Sequence, residues 1–210
     1  MGTVLAPLPA EVLSTFVEVM DVKPRHDVVA VHIPIGLPDV PAKGGRLCDR
    51  EARRLLGWPR SGAISSPPVR STLGAKTFER AYELNGGLSP VTWQLLKKVA
   101  EVEADFGPYL QRQIYEVHPE LSFYELNDGV PMRHRKETVE GRAERRQLLI
   151  QKLPVVRAAL ETKVKAADEP RLLDACADLW TARRIAAKAA GRVPEDAPWD
   201  SKGLRMQIYR

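Results

Sequence analysis

Residues 27–33, DVVAVHI, form a short β-branched run that is apolar at almost every position and is stopped by Pro34. Strict alternation marks a strand with one wet face, whereas a nearly unbroken apolar run marks a strand covered on both faces, as in sheets buried under helices. Just upstream, residues 8–20 place Val12, Leu13, Phe16, Val17 and Met20 at helical spacing, with Pro9 tolerated in a first turn where its missing N–H is harmless. Helix followed by buried strand predicts an α/β fold. Residues 111–117, QRQIYEV, read as a second strand and residues 204–209, LRMQIY, as a closing one.

Helical spacing or capping predicts helices over residues 76–84, 90–106, 119–126, 136–151, 154–166 and 169–190. The second carries Val91, Leu95, Val99 and Val102 on one face, and the last carries Leu172, Leu173, Cys176, Leu179 and Trp180 in one stripe. Residues 34–75 are rich in Pro, Gly and Ser apart from a short helix over 49–56. A connection that long, leaving the C-terminal end of a buried strand, lies where open α/β sheets bind ligands. With no internal repeat, the 210 residues read as one domain.

Charge separates the two parts of the chain. The whole carries +5, but residues 1–130 hold a net −2 and residues 131–210 a net +7. A basic surface draws phosphates. Cys48 and Cys176 are far apart and have no Cys or His partner at zinc spacing, which predicts a reducing, cytoplasmic setting without structural zinc. No window approaches the roughly 18 apolar residues of a membrane span, and the N-terminus has no export-signal pattern. Neither a phosphate-binding Gly-rich loop nor a nucleophile elbow is present, so ATP hydrolysis, hydride transfer and serine hydrolysis drop out.

Several polar residues remain open between a structural and a chemical role. Glu116 and His118, two apart on a strand, share a face, with Glu120 just beyond: either a polar strand end or a metal or acid–base group. Asp174 lies off the apolar stripe of its helix, as a solvated acid or a ligand. His32 ends the first strand, as a core histidine or a site group. Arg142, Arg145 and Arg146 share one helical face and, with Lys136, either contact phosphates or pair with Glu140 and Glu144. Asp49, Arg50 and Arg53 either line the same cleft or start a helix. Trp58, Trp93, Trp180 and Tyr115 are not interleaved with basic residues and read as packing groups.

Taken in order, VAVHIPIGLPD at 29–39, RLCDREARRLLG at 46–57, YEVHPELSF at 115–123 and KETVEGRAERRQLL at 136–149 resemble a prokaryotic family of predicted RNase H-like nucleases, catalogued as domain of unknown function 429. LSPVTWQLLKKVAEVE at 88–103 and LLDACADLWTA at 172–182 extend the resemblance over about residues 28–190. The resemblance implies an RNase H-like mixed sheet flanked by helices, with acids from strands and the last long helix meeting at one edge around Mg²⁺ or Mn²⁺. Such ions favour carboxylate oxygens and can drive phosphodiester hydrolysis. It implies Glu116, His118, Glu120, Asp174 and His32 at the catalytic centre, Glu116 and Asp174 on metal, and Lys136, Arg142, Arg145 and Arg146 on nucleic acid.

The chain also departs from the family's pattern. It opens near the first helix, without a strand bearing Asp-Gly and its hairpin; His32 stands where the family has Asp, and Arg171 where it has the first of two helix acids. These departures predict an impaired metal centre. The alternative is a non-catalytic relative that binds nucleic acid or protein. An open edge on the first strand predicts a homodimer.

Overall fold

The computed structural model describes residues 10–162 and 167–210. It is a mixed α/β fold with eight α-helices and four short strands among those residues. β1 (Val29–Val31) and β2 (Ile114–Glu116) pair in parallel, Val29 opposite Ile114 and Val31 opposite Glu116. β3 (Arg192–Val193) and β4 (Ile208–Tyr209) pair antiparallel, and a single parallel bridge from Val117 to Tyr209 links the two ribbons.

The strands are shorter than their apolar runs. β1 keeps three residues, all half-buried rather than covered on both faces. β2 is its one strand neighbour among the described residues, and α8 (Glu169–Ala186) also packs against it. A turn over Leu110–Arg112 delays the start of β2. α1 (Phe16–Asp21) starts later than the expected helix because Thr15 forms a capping box with Glu18; Pro9 lies outside the described residues.

Elsewhere caps and periodicity agree with the chain. α2 (Leu47–Leu56) interrupts the Pro- and Gly-rich stretch, and α3 (Phe78–Asn85) follows. α4 (Pro90–Asp105) begins at the Ser89 cap with Pro90 in its first turn. α5 (Pro119–Leu126) is buried nearly all round and packs against α2, α8 and α6 (Val139–Lys152). α7 (Arg157–Glu161) follows a turn over Pro154–Val156; the end of the helix expected over 154–166 lies outside the described residues. The largest apolar cluster joins Phe123, Leu126, Leu149, Leu173 and Cys176 from α5, α6 and α8.

In α8 the buried face is Leu173, Cys176, Ala177, Asp178, Thr181 and Ala182, while Leu179 of the expected stripe is exposed. Small and hydrogen-bonded side chains explain the rotation. Ser122 of α5 donates to Asp178 at 3.3 Å and receives a hydrogen bond from Thr181 at 2.8 Å, so the two helices meet through a polar seam.

Gly141 marks the tightest approach. A Cβ there would lie 1.8 Å from the carbonyl oxygen of Arg135, while the Thr138 cap accepts the Gly141 amide at 3.0 Å. Helix propensity alone makes Gly→Ala stabilising by about 1 kcal/mol. The contact reverses that sign: Gly141→Ala is expected to destabilise by about 2 kcal/mol or more, lowering the thermal midpoint in calorimetry by on the order of 5 °C.

Candidate functional site

The parallel register brings the C-terminal ends of β1 and β2 level, and the polar residues beyond them meet. The rings of His32 and His118 stand edge to face with centroids 4.4 Å apart. His118 is also the N-cap of α5: its Nδ1 accepts the Glu120 amide at 3.2 Å, so the remaining proton of the neutral ring belongs on Nε2. Burial pushes His118 well below the ordinary imidazole value, with His32 adding to the effect. His32 is solvent-exposed, but desolvation by the chain packed around it, with Lys136 contributing, pushes it down to about 4.

Glu120, in the first turn of α5, is buried and receives Arg145 Nη2 at 2.6 Å on Oε1, while its Oε2 has no hydrogen-bond partner. Asp174, on α8, receives Lys136 Nζ at 2.6 Å on Oδ2, while its Oδ1 is buried without a partner. Burial raises the Asp174 pKa against the pull of Lys136, and the charge of Glu120 raises it further. One turn on, burial and the Asp174 charge push Asp178 well up, which favours its neutral acid form.

Glu116 has a different position. Arg46 reaches it with Nη2 on Oε1 at 2.5 Å and Nη1 on Oε2 at 2.8 Å, and the Ile35 amide donates to Oε2 at 2.7 Å. The same guanidinium donates to Asp49 at 2.8 Å and to the carbonyls of Ile35 and Gly36. Both Glu116 oxygens are therefore engaged within a buried ion-pair network, unlike the open oxygens on Glu120 and Asp174. Asp49 begins α2 from its first turn, accepting the Arg46 amide at 2.8 Å. Among the described residues, no group of three or more His, Cys, Asp or Glu side chains is gathered closely enough to hold a metal.

The basic residues divide likewise. Arg145 is fully buried, bound to Glu120 and to the carbonyls of His134 and Gly141. Arg142 and Arg146 pair with Glu169 rather than with Glu140 or Glu144. Glu144 instead accepts the amides of Arg133 and His134. Arg50 and Arg53 hold the carbonyls of Gly45 and Gly44. Both cysteines are free and buried.

Two clefts open around the cluster and share Ala63. One, of about 280 Å³, has apolar walls including Ile64, Pro67, Val91 and Leu95 and reaches both histidines. Thus Val91 and Leu95, expected on a packed helix face, line a cavity. The other, of about 350 Å³, is bordered by Trp58, Arg60, Arg135 and Lys136 and reaches Glu120. Trp58 is 90% exposed, which corrects its reading as a packing residue. The sequence signal for it was local: a bulky indole between Gly57 and Pro59, where the helix has ended and no apolar period continues.

Two outcomes follow. Glu116→Ala leaves Arg46 buried without its main partner and is expected to cost about 3–5 kcal/mol, measured by denaturant unfolding. For His32, the folded value near 4 lies below the free value of 6.5, so the unfolded chain binds more protons between them. Its contribution to stability is complete above about 6.5 and lost as pH falls toward 4. Imidazole proton shifts in NMR are expected to place the His32 midpoint below the free value of 6.5; a midpoint at or above 6.5 would contradict the lowering by desolvation and Lys136.

No curated protein and no solved structure matches the chain. A family described as "Protein of unknown function (DUF429)" matches residues 2–198, nearly the whole length, and the chain belongs to that family.

Proposed function

We propose that the chain is a phosphodiester hydrolase assisted by one divalent cation held at Glu120 and Asp174. The observation that carries this reading is the pair of buried carboxylate oxygens, Glu120 Oε2 and Asp174 Oδ1, each without a hydrogen-bond donor. Buried acceptors left open are costly unless a ligand satisfies them. Mg²⁺ and Mn²⁺ accept such oxygens, and Mg²⁺ commonly uses one or two carboxylates with water and substrate phosphate completing the shell. The set suits one cation rather than two, because the oxygens of Glu116 are committed to Arg46 and Ile35.

When bound, the cation supplies positive charge to the phosphate oxygens. The chain's own groups do the rest. Arg145 fixes Glu120 through Oε1, leaving its second oxygen without a hydrogen-bond partner. Lys136 supplies a fixed cation for a phosphate, and His32, its imidazole held below the ordinary value, can accept the proton of an attacking water. His118 positions Glu120 through its cap on the Glu120 amide.

One contact favours a second reading. Lys136 Nζ lies 2.6 Å from Asp174 and already answers its charge, as expected of a relative that keeps the scaffold for binding without catalysis. Calorimetric titration with Mn²⁺ and Mg²⁺, alongside cleavage of labelled oligonucleotides, separates the two. Hydrolysis requires saturable metal binding that Glu120→Gln with Asp174→Asn weakens by about tenfold or more, for outer or inner ligands alike, together with cleavage that the same variant loses. Absence of binding at millimolar metal, or binding without cleavage, overturns the hydrolase and leaves the binding relative.

A further inference from the structure

The geometry points to the Trp58 cleft as a docking platform for a single-stranded nucleic acid, the indole stacking on an unpaired base while Arg135 and Lys136 meet the backbone phosphates. This deepens the hydrolase reading and rests on it for the destination of the strand.

The backbone that carries the indole is pinned. Its loop is closed by backbone hydrogen bonds from Ser61 to Gly57, from Gly62 to Pro59 and from Ile64 to Ser61. Arg60 then ties the loop to the segment before α6, donating to the His134 carbonyl at 3.2 Å. A side chain 90% exposed on a pinned loop contributes little to the core and leaves its ring open to stacking. Stacking on aromatic side chains is tolerant of base identity and needs a base free of its partner strand. A duplex offers such a face only at its ends.

Charge complements the platform. Arg60, Arg135 and Lys136 border the cleft against Glu120 and Glu137, and Glu120 is already paired with Arg145. Arg135 is exposed, and Lys136 spans the wall to Asp174. A strand stacked on Trp58 and following these cations therefore runs toward Glu120, which borders the same cleft, and toward Lys136, which bonds Asp174.

Fluorescence anisotropy in EDTA, where metal-dependent cleavage is silent, tests the platform on the full chain with labelled oligo(dT), oligo(U) and a matching duplex. Single strands are expected to bind more tightly than duplex. Trp58→Ala is expected to weaken single-strand binding by about tenfold, and Trp58→Phe to restore most of it. Arg135→Ala is expected to reduce the slope of log affinity against log salt by about 0.7 for single strands. Because Trp58 is exposed, its replacement leaves the packed core intact. Equal binding by Trp58→Ala, preference for duplex, or no binding of either overturns the platform, the last pointing the indole toward a protein partner. Cleavage in Mn²⁺ that Trp58→Ala leaves unchanged overturns the platform but keeps the hydrolase. Trp58-dependent binding without cleavage keeps the platform and overturns the hydrolase.

Discussion

The guanidinium of Arg46 ties the first turn of its own helix to two other pieces of chain. It bridges Glu116 at the end of β2, Asp49 in the first turn of α2 and the carbonyls of Ile35 and Gly36 just after β1. Taking these charges out of water costs several kcal/mol per ion, and only well-formed multiple hydrogen bonds offset it. Such a network therefore adds more to geometric definition than to net stability. Its consequence is positional. With Val31 opposite Glu116 and the loop beyond β1 held to the same guanidinium, His32 and His118 have little freedom to separate. Gly36 completes the lock: it has φ +78°, and a Cβ there would come within 2.8 Å of Met206 Cγ.

The elements legible in the sequence are those whose signal is local. Ser89-Pro90 and Thr138 announce α4 and α6 because a cap and a first-turn proline act on their own backbone. His118 and Glu120 come together for the same reason, as cap and first turn of α5. What the sequence hid depends on distant partners. A mutually apolar run does not reveal that β1 pairs with only one strand among the described residues. Helical spacing put Arg145 beside Arg142 and Arg146, yet a partner 25 residues away draws Arg145 fully inside. The face of α8 rotated because Ser122 and Thr181 can bury a hydrogen-bonded seam as readily as leucines bury an apolar one. The family resemblance located the polar cluster, but it assigned Glu116 to metal without the Arg46 contact that commits its oxygens.

Charge balance inside the cluster follows a consistent pattern. Glu116 answers Arg46, Glu120 answers Arg145 and Asp174 answers Lys136. Asp178 receives a hydrogen bond from Ser122, and burial raises its pKa well above the ordinary carboxyl range. A neutral acid there limits the negative charge crowded onto one face of α8. It also explains how Asp174 and Asp178, a helical turn apart, can both be drawn toward the interior.

Lys136 links these ion pairs to the clefts. Its ammonium borders the cleft under Trp58, bonds Asp174, and depresses the basicity of both His32 and His118. Any anion that pairs with Lys136 therefore acts in two directions at once. It weakens the hold on Asp174 Oδ2, making that carboxylate more available to a cation, and it screens the field that lowers the imidazoles, making them better proton acceptors. A phosphate placed on Lys136 is thus coupled by Coulomb's law to the acid and base groups around it, without any movement of the helices that carry them.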